Sequence, residues 1–305
     1  MTSLPISEAP ARQRPAPPMS PPGELAGWPW AATTRPFTAL QHSFRVRVYD
    51  AELASYLEQV YRTLPAGAAE VSEYSVIDRG EGEGRYAVYC NDERVELTAS
   101  RERAMAILMW HVNQEAVRST VDSHVVLHAA AAERDGITVL LPAAMEAGKT
   151  TTVAGLLRAG FGYVTDEAVA LDPLTLAAMP FHKPLSIDAG SWSVLPDLMP
   201  TAYQELVLGQ WQVPADSITT LVGGVVPRLV VAPEYVPEAV TALEPITRGA
   251  MLAHLATCTF QFAAAPERNL QVLARLVQGA GCYRLRIGDL DSAVRLITDL
   301  VKEET

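Results

Sequence analysis

Two clusters in this sequence have the residue types and spacing to do chemistry: Gly148-Lys149-Thr150 and, sixteen residues after Thr150, the adjacent acids Asp166-Glu167. A glycine, a lysine and a hydroxyl at the start of a helix suit a phosphate chain. Unpaired backbone N–H groups and the helix dipole attract the anion there, the lysine reaches the β- and γ-phosphates, and the hydroxyl turns to Mg²⁺. Two neighbouring carboxylates beside such a loop are costly unless a metal or a proton transfer uses them. Together the clusters predict phosphoryl transfer with ATP and Mg²⁺ as cofactors.

The expected nucleotide-binding residues are Ala144, Met145, Glu146, Ala147, Gly148, Lys149, Thr150 and Thr151, with Thr150, Asp166 and Glu167 for the metal. The loop departs from G-x-x-x-x-G-K-[ST] at two points. Ala143 stands where the first glycine belongs, a position where the chain often needs a conformation costly for a residue with a Cβ. Glu146 adds a negative charge that repels phosphate if it points inward. The lysine, the hydroxyl and the second glycine remain, so a variant but working loop is expected. The plainer alternative is a helix start with a solvated lysine and a surface acid pair. It explains neither the strand before the loop nor the pairing of the acids.

The elements that must hold these residues are legible around them. In "SHVVLHAAAAERDGITVLLP" two apolar runs flank Asp135-Gly136, which predicts a hairpin whose second strand runs into the loop. A helix follows, with Val153, Leu156 and Leu157 inward and Gly160 ending it. "GYVTDEAVALD" predicts a third strand carrying Asp166-Glu167. Beyond a loop-rich middle, "ITRGAMLAHLATCTF", "PERNLQVLARLVQGA" and "DLDSAVRLITDLVKEE" predict helices, packed between the strands "RLVVAP" and "CYRLRIG". Upstream, "FRVRVYD" alternates as a half-buried strand. A helix capped by Asp50, three short strands and a helix over 101–117 entered by Ser100 complete a small α+β unit. The predicted organisation is a proline-rich disordered lead-in over 1–36, the α+β unit over 37–120 and a nucleotide-binding domain over 121–305. Trp28 and Trp30 in the lead-in are candidates for docking on the body or on a partner.

Composition narrows the function classes. With 49% hydrophobic and 19% charged residues the chain reads as globular rather than disordered. A formal charge of −11 argues against nucleic acid and against anionic membranes as partners. No apolar run reaches membrane-spanning length, and no secretory signal is visible, so a cytoplasmic protein is expected. Cys90, Cys258 and Cys282 form no pair or metal-ligand spacing and read as buried thiols. Lys183 and Arg268 are candidates to steady phosphates or an acceptor, and His182 is a weaker one. Trp192, Trp211, Met105 and Met109 read as packing residues.

The order hairpin, phosphate loop, helix, then "GFGYVTDE" resembles the HPr kinase/phosphorylase group, in particular its HPr-kinase-related branch. That family shares a nucleotide-binding core with phosphoenolpyruvate carboxykinases. Its pattern has a His on the strand before the loop, matched by His128 in "LHAAA", and a strand ending in D-D, matched by Asp166-Glu167. The likeness covers about residues 120–190, extends suggestively to "CYRLRIGDLDSAVRLITDLV", and touches the upstream unit in layout only. It implies an α/β fold with a P-loop kinase core, a mixed sheet with flanking helices. It further implies Asp166 as the base on the acceptor hydroxyl, Glu167 and Thr150 on Mg²⁺, and His128 orienting carboxylates or phosphate, beside the Lys149 that the loop chemistry already places on the transferred phosphate. From its apolar flanks alone His128 reads as a core histidine, and it is the adjoining loop that gives a catalytic role equal standing. The family's E-x-R-G-x-G segment is absent here, which implies an acceptor other than HPr. By resemblance that acceptor is a Ser hydroxyl on a peptide or protein. A small-molecule alcohol, or a nucleotide-binding protein without turnover, are the alternatives. The family's enzymes form hexamers, so the resemblance allows a homo-oligomer.

Overall fold

The computed structural model describes residues 25–68, 70–143, 147–200, 207 and 209–305. Ala144, Met145 and Glu146 of the expected phosphate loop lie outside the described residues, as do residues 1–24 of the proline-rich lead-in.

The alternating apolar residues of the upstream unit build a sheet from β1 (Ala32–Thr33), β2 (Phe37–Ala39), β3 (His42–Val48), β4 (Ser72–Asp78), β5 (Tyr86–Cys90) and β6 (Glu93–Thr98). Its order is β1-β3-β4-β5-β6, with β2 against β3. Helix α1 (Ala51–Val60) starts where the Asp50 side chain accepts from Glu52 N–H, and α2 (Arg101–Arg118) where Ser100 accepts from Arg103 N–H, as the sequence predicts. Both helices bury their apolar stripes on the face carrying Tyr74, Val76 and Val88, with Met105 and Met109 in the same core. The opposite face, with Ile77, Ala87 and Tyr89, is covered by Leu25, Trp28 and Trp30. Part of the segment expected as a disordered lead-in is therefore packed. Residues 25–36 include a strand and two tryptophans docked on the body, and the Arg47 guanidinium lies 4.5 Å above the Trp30 ring.

The second sheet forms around the predicted hairpin. β7 (Val125–Arg134) and β8 (Ile137–Pro142) pair antiparallel through Asp135 (φ 55°) and Gly136 (φ 80°), both left-handed as a two-residue hairpin turn with matching twist requires. α3 (Lys149–Arg158) follows and ends just before Gly160. The strand expected over "GYVTDEAVALD" is interrupted. β9 (Gly162–Thr165) and β10 (Ala168–Leu171) both pair antiparallel with β7, and Asp166-Glu167 occupy the break between them. β11 (Ala178–Met179) extends the sheet beyond β10, while β12 (Leu185–Asp188) and β13 (Gln210–Val213) form a separate two-stranded ribbon. β14 (Pro227–Tyr235), β15 (Ala242–Pro245), α4 (Arg248–Cys258), α5 (Pro266–Gly279), β16 (Gly281–Ile287) and α6 (Leu290–Glu303) complete the chain. The sheet runs β11-β10-β7-β8-β14-β16-β15 with β9 against β7, and is mixed: β8, β14 and β16 are mutually parallel. α3 and α6 pack on one face and α4 and α5 on the other, giving a mixed α/β architecture with flanking helices. The two sheets share core contacts, because Val126, Ala168, Ala170 and Phe181 join the cluster beneath α1 and α2. Among the described residues no helix is long and apolar enough to cross a membrane.

Candidate phosphate-binding and carboxylate site

The topology brings both chemical clusters to one sheet edge. β8 and β9 each run antiparallel to β7, hence parallel to each other, so both end on the same side of the sheet. β8 leads there toward Gly148-Lys149-Thr150, and β9 delivers Asp166-Glu167. Crevices outside the carboxyl ends of parallel strands are where α/β sheets hold ligands. His128 sits between the two exits. Its carbonyl accepts from Ala143 N–H at 3.3 Å on one side, and it is in register with Ala168, the first residue after the break, on the other.

Gly148 adopts φ 83°, a left-handed conformation that the second loop glycine supplies without strain, and a Cβ there would approach Tyr235 at 3.7 Å. It also supplies no side-chain cap, so the first N–H groups of α3 have no capping side chain. Lys149 is buried, and its Nζ donates to the Ala143 carbonyl at 3.0 Å, closing the loop across the unusual alanine. Burial holds the Lys149 ammonium below its ordinary pKa, against the pull of Glu167, Cys258 and Asp166. Thr150 is half-buried at the helix start. Thr151 shares a 2.5 Å hydrogen bond with Ser191 and so ties α3 to the turn after β12.

The acid pair is held in a way the sequence does not show. Asp166 is 3% exposed. Its Oδ1 lies 2.8 Å from the Lys183 ammonium, itself fully enclosed, and accepts from the Tyr163 hydroxyl at 2.9 Å. Asp166 Oδ2 is buried with no hydrogen-bond partner among the described residues. Glu167, partly exposed, lies 3.8 Å from the same ammonium. Burial raises the Glu167 carboxyl, Asp166 adds to that, and the two lysines oppose it. Burial acts to lower Lys183, but the Asp166 and Glu167 carboxylates outweigh it and leave the ammonium above its usual range. Burial, reinforced by Asp166, pushes the Tyr163 phenol well up and keeps its proton in place. The site thus balances two carboxylates against two lysines and leaves one buried oxygen unsatisfied.

Burial first and the Lys149 charge second lower His128 to about 4, so its imidazole is neutral at neutral pH. It packs edge-on against Phe260 at 5.7 Å. The sheet edge is closed from behind by α4: His254 Nε2 donates to the Pro142 carbonyl at 2.9 Å, with Cys258 Sγ 3.7 Å away. An i, i+4 His/Cys pair on one helix face is the local signal that could have drawn attention to them.

Arg268, a candidate from sequence, lies away from the site, where its guanidinium donates to the carbonyls of Val121 and Asp122 after α2. His182 Nε2 donates to the Val222 carbonyl at 2.8 Å, and its ring lies 6.1 Å from that of Tyr163. Trp192 and Trp211 stack on each other at 4.9 Å and fill core beside α3. Tyr163 was not anticipated. A tyrosine three residues before the acid pair, in the same buried strand, was the available signal.

Carboxylate oxygens are the ligand type that suits Mg²⁺ better than a softer metal. Asp166 and Glu167 offer hard carboxylate oxygens, and Asp166 Oδ2 is buried without a hydrogen-bond partner among the described residues. Among the described residues no cluster of three or more His, Cys, Asp or Glu side chains forms an all-protein cage. A metal shared between few protein oxygens and substrate phosphates is the arrangement Mg²⁺ favours.

No family model and no curated protein matches the chain. Among solved structures, the Hpr(Ser) kinase/phosphatase from Coxiella burnetii matches with a TM-score of 0.30 at 15% identity, covering 59% of this chain and 95% of that one. A likeness so slight says nothing about the chemistry of this chain.

Proposed function

We propose that the protein is a kinase that transfers the γ-phosphoryl group of ATP, with Mg²⁺, to a hydroxyl acceptor. The observation that carries this is the convergence of Gly148-Lys149-Thr150 and Asp166-Glu167 at the carboxyl ends of β8 and β9, with one oxygen of a buried carboxylate unsatisfied. In this account the α3 N-terminus and Lys149 bind the phosphates, which requires Lys149 to exchange the Ala143 carbonyl for a phosphate oxygen. Thr150, Glu167 and Asp166 hold Mg²⁺, which when bound neutralises charge on the phosphate oxygens. Asp166 orients the acceptor hydroxyl and receives its proton. His128, neutral, donates or accepts a hydrogen bond between the loop and the acids. The motif order shared with the HPr kinase/phosphorylase group favours a Ser hydroxyl of a peptide or protein other than HPr.

The test is calorimetry with ATP and Mg²⁺ on the full chain and on Lys149→Ala, followed by transfer from labelled ATP to a library of serine-containing peptides. Binding that is lost in Lys149→Ala, and transfer that is lost in Asp166→Asn while binding remains, is the expected result. Wild-type protein that binds no nucleotide rejects the proposal. Binding with no transfer to any peptide, but with transfer to small alcohols, moves the acceptor to the other class.

A further inference from the structure

The unsatisfied oxygen of Asp166 among the described residues has a cause. Two described donors meet this carboxylate at the same oxygen: Lys183 Nζ at 2.8 Å and the Tyr163 hydroxyl at 2.9 Å both meet Oδ1. The donors are tied to each other as well, since the Tyr163 hydroxyl lies 3.0 Å from the Lys183 carbonyl, and Lys183 Nζ donates to the Pro184 carbonyl at 2.9 Å. We infer that Tyr163 and Lys183 are positioning residues which grip one oxygen of Asp166, fix the rotation of its carboxylate and hold the other oxygen ready for the metal and the acceptor.

The backbone that presents the two donors is pinned independently of the acids. Tyr163 N–H donates to the Thr220 carbonyl and the Tyr163 carbonyl accepts from Val222 N–H. Phe181 N–H donates to the Val164 carbonyl, and the His182 carbonyl accepts from Thr63 at 2.5 Å, which anchors the segment before Lys183 on both sides. A rigid mount of this kind is needed if a side chain is to place another group. A carboxylate free to rotate would turn Oδ2 onto a donor, because a buried acceptor left unpaired is costly. The two donors, both on Oδ1, oppose that rotation. A catalytic carboxylate displaced by about 1 Å can cost about 100-fold in rate, so the grip has a kinetic consequence.

The chemistry of this inference rests on the phosphoryl-transfer proposal, but the grip can be judged without it. Tyr163→Phe keeps the ring and the local charge and removes only the hydroxyl, so it carries the test; Lys183→Met also removes the charge paired with a buried acid and serves as a second variant where it folds. Two readouts on the full chain are needed: steady-state release of ADP from MgATP, and binding of Mn²⁺ alone, as a probe for the acid pair, by electron paramagnetic resonance. The expected result for Tyr163→Phe is a fall in kcat of about 10-fold to 100-fold with KM for ATP within about twofold, together with weakened Mn²⁺ binding. A residue that served only packing would not separate kcat from KM in this way. Unchanged kcat and unchanged Mn²⁺ binding in Tyr163→Phe overturn the grip and leave the kinase proposal standing. If wild-type protein neither binds nor hydrolyses ATP, the kinase proposal fails and Mn²⁺ decides alone. Weaker Mn²⁺ binding in Tyr163→Phe then upholds the grip, and equal binding, or none in wild type, overturns it.

Discussion

A buried tyrosine hydroxyl joins polar groups in each of the two sheets, and the two networks differ in kind. In the upstream unit the Tyr74 hydroxyl lies 3.3 Å from His42 Nε2 and 3.0 Å from His111 Nδ1. Burial lowers both histidines and raises the phenol, so the group is neutral, and no side-chain atom of these three residues is left buried and unsatisfied. At the sheet edge the Tyr163 hydroxyl joins Asp166 and the Lys183 carbonyl, the network is charged, and one carboxylate oxygen lacks a partner among the described residues. A satisfied neutral network adds rigidity at small risk, whereas an incompletely satisfied charged one is expensive to keep and is retained where a ligand completes it. On the proposed reading the same side chain serves stability in one sheet and a site in the other.

The comparison is broken most sharply by removing one partner from the charged network. Lys183→Met leaves Asp166 buried without a counter-charge, and the expected cost at pH 7 is about 3–5 kcal/mol, read from urea denaturation. Adding Asp166→Asn should recover most of that loss, because the uncompensated charge and not the missing lysine is the source of the cost. Equal stability of Lys183→Met and wild type would mean that Asp166 is not the buried, paired carboxylate described here.

Acid should act on the neutral network. Burial, only partly offset by Glu115, brings His42 from 6.5 in the unfolded chain to about 4 in the fold. The unfolded state therefore takes up a proton that the fold refuses. The stability conferred by the neutral ring is complete above pH 6.5 and is lost as pH falls from 6.5 to about 4. Over that window His42 alone is worth about 3 kcal/mol. Denaturation curves of wild type and His42→Gln at pH 7 and pH 4.5 check this: the wild type should lose more on acidification. Parallel losses would show that His42 protonates as readily in the fold as outside it.

How much of this was legible in the sequence depends on whether a feature is local. The Asp135-Gly136 hairpin, the caps Asp50 and Ser100 and the helix after Gly148 rest on turn and helix-end chemistry within a few residues, and all form as expected. The interruption between β9 and β10 was not legible. "GYVTDEAVALD" carries an unbroken strand pattern, and only its pairing with two stretches of β7 decides where it bends. Lys183 and Arg268 looked alike as lone cations. The fold sends Lys183 to the acids through the segment before β12 and Arg268 to carbonyls after α2, contacts that no spacing encodes. The tryptophans of the lead-in likewise gave no local sign of the sheet face that they cover.

The mildest substitution sharpens the contrast most directly, since it makes the same change in each network. Tyr74→Phe removes the hydroxyl shared by His42 and His111 and leaves two ring nitrogens without that partner, so the expected loss is about 1–2 kcal/mol of stability at pH 7. Nucleotide and Mn²⁺ binding should not change, because the cluster lies beneath α2 and contributes no group to the sheet edge. Tyr163→Phe should behave in the opposite sense, with its larger effect on turnover and on the metal. The pair is read by denaturation and by Mn²⁺ titration of both variants side by side. If Tyr74→Phe weakened Mn²⁺ binding as much as Tyr163→Phe does, the two networks would be coupled through the core that joins the sheets at Val126, Ala168 and Phe181, and the division between a structural and a functional tyrosine would not hold.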